Sequence, residues 1–203
     1  MSEVKIEENI IRNVIGKGIP KTKNDQNTDD IIPARFMKEI TFANMGNYAY
    51  YDERVKDGEE VKEHPLNKYA GATILVGGAN YGCGSSREHA PQALSRYGIK
   101  AIIAESFAEI FAGNCAALGV VGVMIPRNEI DILAEAIVAD HGIEITIDLE
   151  AKLVKYSDKE IPLELIEGRR QSFLNGTWDA LTILAQNQEG INKVENELAY
   201  LKF

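Results

Sequence analysis

Three short runs, ATILVGG (72–78), IKAIIAES (99–106) and GVVGVMIP (119–126), constrain the chain more than any other feature. Apolar runs this short belong to strands covered on both faces, and each is separated from the next by a segment of helical length. Arg87–Tyr97 is one such segment, stopped by Gly98; Ser106–Leu118 is the other, opened by a serine cap and stopped by Gly119. The pattern is βαβαβ, so a parallel core with right-handed crossovers is expected.

The flanks add other pieces. RNEIDILAEAIVAD (127–140) has Ile130, Leu133 and Ile137 at helical spacing, whereas IEITIDLEAKLVKY (143–156) alternates apolar and polar residues like half-exposed hairpin strands. Near the C-terminus Ile191, Val194, Leu198 and Leu201 fall on one helical face. NTDDIIPARF (27–36) reads as a capped turn, and YAYYDERVKDGEEVKEHPLNKY (48–69) as a polar loop with aromatic anchors. The expected class is α/β: a parallel core, antiparallel strands, C-terminal helices, one domain over residues 1–203.

A net charge of -9 works against polyanion binding, which needs a basic stripe to displace counterions, so no nucleic-acid partner is expected. No run approaches the roughly 20 apolar residues that span a bilayer, and acids stand in MSEVKIEENI where a signal peptide carries positive charge. The expected setting is the cytoplasm, without a membrane partner. Two cysteines, Cys83 and Cys115, are most simply free thiols there. They are too few for an iron–sulfur cluster, which takes about three or four thiolates.

GGANYGCGSSREHAPQAL (77–94) is the segment rich in chemistry. It lies where a parallel strand ends and a helix begins, the place where open α/β sheets bind ligands and where helix N–H groups favour anions. Pro91 keeps the first helical turn near Arg87–Ala90, which makes Ser85 and Ser86 cap positions. A dinucleotide fingerprint needs glycine where Arg87 stands, and the chain has no G-K-[ST]. The nucleophile elbow G-x-S-x-G fails on offset, and paired zinc-ligand spacing is absent. What remains is an anion site: Arg87 gripping a carboxylate, with backbone N–H groups and the hydroxyls of Ser85 and Ser86 around a developing negative charge. The plainer alternative is two capping serines, a solvated arginine, and Glu88 and His89 satisfying one another.

The run Gly82–Ala90 closely resembles the signature of the aconitase superfamily's swivelling domain, and YGCGSSREHAPQAL (81–94) the small subunits of bacterial 3-isopropylmalate dehydratases. NTDDIIPARFM (27–37), IKAIIAESFAEIFAGNCAALGV (99–120) and RRQSFLNGTWDALTIL (169–184) resemble those subunits in the same order. The resemblance implies a swivelling β/β/α domain with a helical extension from about 168, no cofactor on this chain, and a partner large subunit carrying a [4Fe–4S] cluster. It implies Ser85 as the base that removes a carbon-bound proton, with Ser86 and Arg87 binding a carboxylate of a small dicarboxylate substrate. Asp29 matches an acidic active-site position; its plainer role, with Thr28, is to cap the turn. Arg35 lies in a segment resembling a loop that sorts substrates. Cys83 stands where aconitases carry a glutamate and is read as packing or redox-sensitive. The alternatives are a related hydro-lyase acting on homoaconitate, citraconate or a methylmalate, or a non-catalytic anion-binding module.

Overall fold

The strand that joins the two halves of the sheet is the one the sequence hides. β1 (Asn13–Lys21) carries two glycines and a proline, residues that weaken or interrupt a ladder. The computed structural model describes residues 9–39, 41–85, 87–180, 183, 184 and 187–198. After β1 come α1 (Thr28–Ile31), 3-10 turns at Ala34–Lys38 and Met45–Tyr48, α2 (Tyr51–Arg54), a minimal hairpin of β2 (Val55–Lys56) and β3 (Glu59–Glu60), and α3 (Pro65–Lys68). The expected core follows as β4 (Ile74–Gly77), α4 (His89–Tyr97), β5 (Ala101–Ala104), α5 (Glu109–Ala117) and β6 (Val121–Met124). Then come α6 (Arg127–Ala139), β7 (Glu144–Asp148), β8 (Leu153–Tyr156), β9 (Lys159–Pro162), α7 (Glu167–Leu174) and α8 (Gln188–Glu197).

Among the described residues, seven strands form one mixed sheet in the order β6-β5-β4-β1-β7-β8-β9. β1 changes partner midway: residues 13–17 pair antiparallel with β7, residues 18–21 parallel with β4. This explains how it tolerates Pro20. The Lys17 carbonyl accepts from Thr73, so by alternation residues 17, 19 and 21 face β4 while Pro20 faces the side where β7 has already ended. Its missing N–H therefore breaks no ladder bond.

β4 and β5 are buried at every position, as their apolar runs require, and each large side chain there is worth about 1.5–3 kcal/mol of burial. α6 buries Ile130, Leu133 and Ile137 against the sheet, and β7 buries Ile145 and Ile147 alternately. In α8, Ile191 and Val194 stay exposed, and Leu201 lies outside the described residues.

The segment 48–69 is not a polar loop. It folds as α2, β2–β3 and α3 because its charges are matched internally: Arg54 is buried, with Nε donating to the Ala49 carbonyl and Nη2 to that of Asn47. His64 caps α3 by accepting the Leu66 N–H on Nδ1, which leaves Nε2 3.4 Å from Glu53. Glu53 also pairs with the buried Lys21 at the end of β1, 2.7 Å away. Partners separated by this much sequence leave no local pattern.

Candidate active site

The glycine-rich loop leaves β4 and runs beside the start of α1 as a short parallel ladder. Gly82 N–H donates to the Gln26 carbonyl at 2.8 Å, Thr28 N–H to the Cys83 carbonyl at 2.8 Å, and Ser85 N–H to Thr28 Oγ1 at 3.0 Å. Two glycines are structural requirements. Gly82 has φ +79°, and a Cβ there would sit 2.1 Å from Phe111 Cγ; Gly84 has φ +97°. The loop thus brings Ser85 against both α1 and the start of α5.

Ser85 does not cap α4. The helix begins at His89, with Glu88 at the cap position and no side-chain bond to its first N–H groups. Pro91, with no N–H to donate, is comfortable this close to the start. Glu88 and His89 do not satisfy one another: Glu88 accepts from Gln92 at 2.6 Å, and His89 packs edge-on against Phe42. α1 is capped by Asn27, which accepts the Asp30 N–H at 2.8 Å while Asp30 accepts back from Asn27. Thr28 and Asp29 are therefore free of the capping role: Thr28 receives Ser85, and Asp29 lies 4.0 Å from Arg87. Ser86 lies outside the described residues.

The start of α5 is the part of the site that residue patterns miss. Ser106 is not its cap; its hydroxyl accepts the Asn80 N–H at 2.8 Å, and its carbonyl accepts that of Tyr81. The cap position belongs to Ala108, which has no side chain able to bond the first N–H groups. Glu109, Ile110 and Phe111 then line a cleft of about 210 Å³ together with Ser85, Arg87 and Thr28. Glu109, the first-turn acid, is drawn aside by an ion pair with Arg169. An uncapped helix start facing a hydroxyl and a guanidinium suits an anion. The signal that finds it is the dipeptide Phe107–Ala108, which offers no cap.

Volume alone does not select this cleft. A larger hollow of about 700 Å³ lies beside Glu105, Arg127 and Lys159, but Arg127 is already committed to Asp131, Asn24 and the Thr22 carbonyl. Arg87 differs. It is exposed, and the described contacts of its guanidinium are Asp29 at 4.0 Å and the Met37 thioether. Ser85 is partly buried and opens into the cleft. Arg35 is not brought to Ser85: its guanidinium forms a bidentate pair with Asp52 and lies over Phe36 and Tyr51. Those hydrogen bonds hold the Asp52 carboxyl below its ordinary value.

Cys83 bonds Thr28 through its carbonyl, and burial, ahead of the nearby Asp25 charge, pushes its thiol up. Cys115 is buried and pushed much further the same way. Among the described residues no group of three or more His, Cys, Asp or Glu is placed to hold a metal ion. Two cysteines are fewer than the about three or four thiolates that a [4Fe–4S] cluster takes.

The chain belongs to the aconitase C-terminal domain family, whose model matches residues 8–128. It is 45% identical over 193 residues to a protein of Synechocystis named 3-isopropylmalate dehydratase small subunit, covering 94% of this chain and 95% of that one. A protein of the same name from Thermus thermophilus is 43% identical over 187 residues, with 91% and 93% covered. The crystal structure of 3-isopropylmalate dehydratase (leuD) from Methanocaldococcus jannaschii superposes with a TM-score of 0.61 at 26% identity, covering 87% of this chain and 99% of that one.

Proposed function

We propose that this chain is the small subunit of a 3-isopropylmalate dehydratase, the hydro-lyase that interconverts 2-isopropylmalate and 3-isopropylmalate in leucine biosynthesis. The observation that carries this reading is the meeting of Ser85, Arg87 and the uncapped start of α5 in one cleft, in a chain 45% identical to a protein of that name. Residues 1–203 then form one swivelling domain with a helical extension from about 168, working in the cytoplasm and completed by a large subunit.

Ser85 takes the carbon-bound proton. A serine hydroxyl is a poor base in water, and it becomes a competent one where its alkoxide faces helix amides and a guanidinium in a site closed to solvent. The N–H groups of Glu109, Ile110 and Phe111 and the charge of Arg87 supply that field. Arg87 presents a planar fork that matches a substrate carboxylate, and Ser86 helps to bind that carboxylate. Asp29, 4.0 Å from Arg87, flanks the guanidinium and the bound diacid. Arg35 reaches a substrate only on releasing Asp52. The [4Fe–4S] cluster, when bound on the large subunit, supplies a Lewis acid for the departing hydroxyl. Loss of water leaves an alkene diacid, and its return with hydrogen and hydroxyl exchanged gives the isomer.

Mixing the purified chain with a cluster-loaded large subunit is expected to create turnover of 3-isopropylmalate that neither chain has alone. Preferred turnover of homoaconitate, citraconate or a methylmalate would move the assignment to a related hydro-lyase. Anion affinity with no turnover of any diacid would reduce the chain to a binding module.

A further inference from the structure

Tyr50 lies in the left-handed region, at φ 51° and ψ 34°, with its side chain fully buried. For a bulky aromatic residue this is a genuine outlier, which persists only where surrounding contacts over-determine it. Three contacts do so. Its N–H donates to the Ile31 carbonyl at 2.7 Å, its hydroxyl lies 2.6 Å from that of Tyr81, and Lys21 Nζ stands 4.4 Å from its ring centroid.

The first two partners stand behind the two sides of the cleft without lining it. Ile31 ends α1, the helix whose Thr28 receives the Ser85 N–H. Tyr81 immediately precedes Gly82, accepts the Ala108 N–H on its carbonyl at 3.0 Å, and packs its ring against Phe111 at 5.6 Å. It therefore carries the start of α5. The α1 side and the glycine loop already touch through the ladder that ends at Ser85, and Tyr50 ties both sides together a second time from within the core.

We infer that the Tyr50–Tyr81 hydroxyl pair is a positioning device for Ser85, fixing the spacing between α1 and α5 on which the aim of the serine hydroxyl depends. This rests on Ser85 being the base, as in the preceding subsection. Burial raises both phenols far above their ordinary range, so the pair stays neutral and acts by geometry, with no proton passed. Neither tyrosine lines the cleft; both act through Thr28, Phe111 and the loop between.

Tyr50→Phe and Tyr81→Phe each remove one hydroxyl and keep the ring. In the purified chain, hydrogen exchange at the Ser85 amide, followed by NMR, is expected to quicken about tenfold in either variant, the equivalent of one buried hydrogen bond. The double variant exchanges no faster than either single, because one bond is lost in all three. In the assembled enzyme kcat falls about tenfold while KM for 3-isopropylmalate stays within about twofold, again without further loss in the double variant. Unchanged exchange at Ser85 in both single variants, or a rise in KM with kcat intact, overturns the inference. A wild-type mixture without turnover would reject the functional reading alone, and the exchange measurement would still decide the brace. Tyr81 has no left-handed backbone to strain, so Tyr81→Phe carries the test if Tyr50→Phe fails to fold.

Discussion

Arg87 and Arg35 bear the same charge at similar exposure, 46% and 53%, yet the regions around them leave different things to be bound. Around Arg35 both carboxylate oxygens of Asp52 fill the fork, and Phe36 and Tyr51 cover the planar faces. Around Arg87 the nearest carboxylate stands at 4.0 Å, a thioether takes one donor, and the first N–H groups of α5 have no side-chain cap. A matched guanidinium gains little from another anion, whereas an unmatched one beside open helix amides gains much. Unfilled hydrogen-bonding capacity, more than charge, marks the site.

The sharpest way to break this contrast is Ser85→Ala in the assembled enzyme, expected to lower kcat by about 10²–10⁴, the usual worth of a positioned base. Near-normal turnover would put the base elsewhere. Arg87→Lys keeps the charge and loses the fork, and steady-state kinetics should report a KM for 3-isopropylmalate raised about ten- to a hundredfold. Next comes Ala108→Asp, which gives α5 a cap. It should stabilise the chain by about 0.5–2 kcal/mol in a denaturant titration while cutting kcat/KM about tenfold, since a resident carboxylate then occupies the amides. A stabler enzyme with undiminished kcat/KM would mean that those amides meet no substrate charge. Arg35→Lys should change KM by less than about threefold, as expected of an exposed, already paired charge. Equal effects at Arg35 and Arg87 would erase the comparison.

The smallest effect belongs to the segment around Tyr50. Contact with His64, ahead of Lys21, outweighs the upward push of burial and takes Glu53 from 4.5 down to about 2. A carboxylate depressed on folding stabilises above its unfolded value, and that contribution is lost as pH falls from about 4.5 toward about 2. Glu53→Gln should therefore flatten the acid limb of Tm against pH. Because 38% of the Glu53 side chain is exposed, solvent screening limits the shift to about 2 °C. A wild-type Tm with no acid limb in that window would remove the pair from the stability account.

The parallel core was legible because β4 and β5 are buried at every position, and uniform burial prints an apolar run; β6 buries Val121 and Val123 and leaves Gly122 and Met124 partly covered. β1 was not, since Pro20 and two glycines erase the pattern at a strand that switches partners midway. Ser85, Arg87 and Asp29 were readable as candidate residues, and the structure sets Ser85 and Arg87 on the cleft, with Asp29 on α1 4.0 Å from Arg87. The start of α5 was not, because Ser106 looks like a cap while its hydroxyl serves Asn80 across the loop. The segment 48–69 read as a polar loop with aromatic anchors because the partners of Glu53, namely His64 and Lys21, come from another turn and another strand.

Hydrogen–deuterium exchange of the assembled enzyme, with and without saturating 3-isopropylmalate, tests the cleft most directly. Peptides covering 82–87 and 108–114 are predicted to gain protection, while those covering 34–39 and 50–54 stay as they were. Protection confined to the Arg35–Asp52 region, with none at the start of α5, would contradict the account.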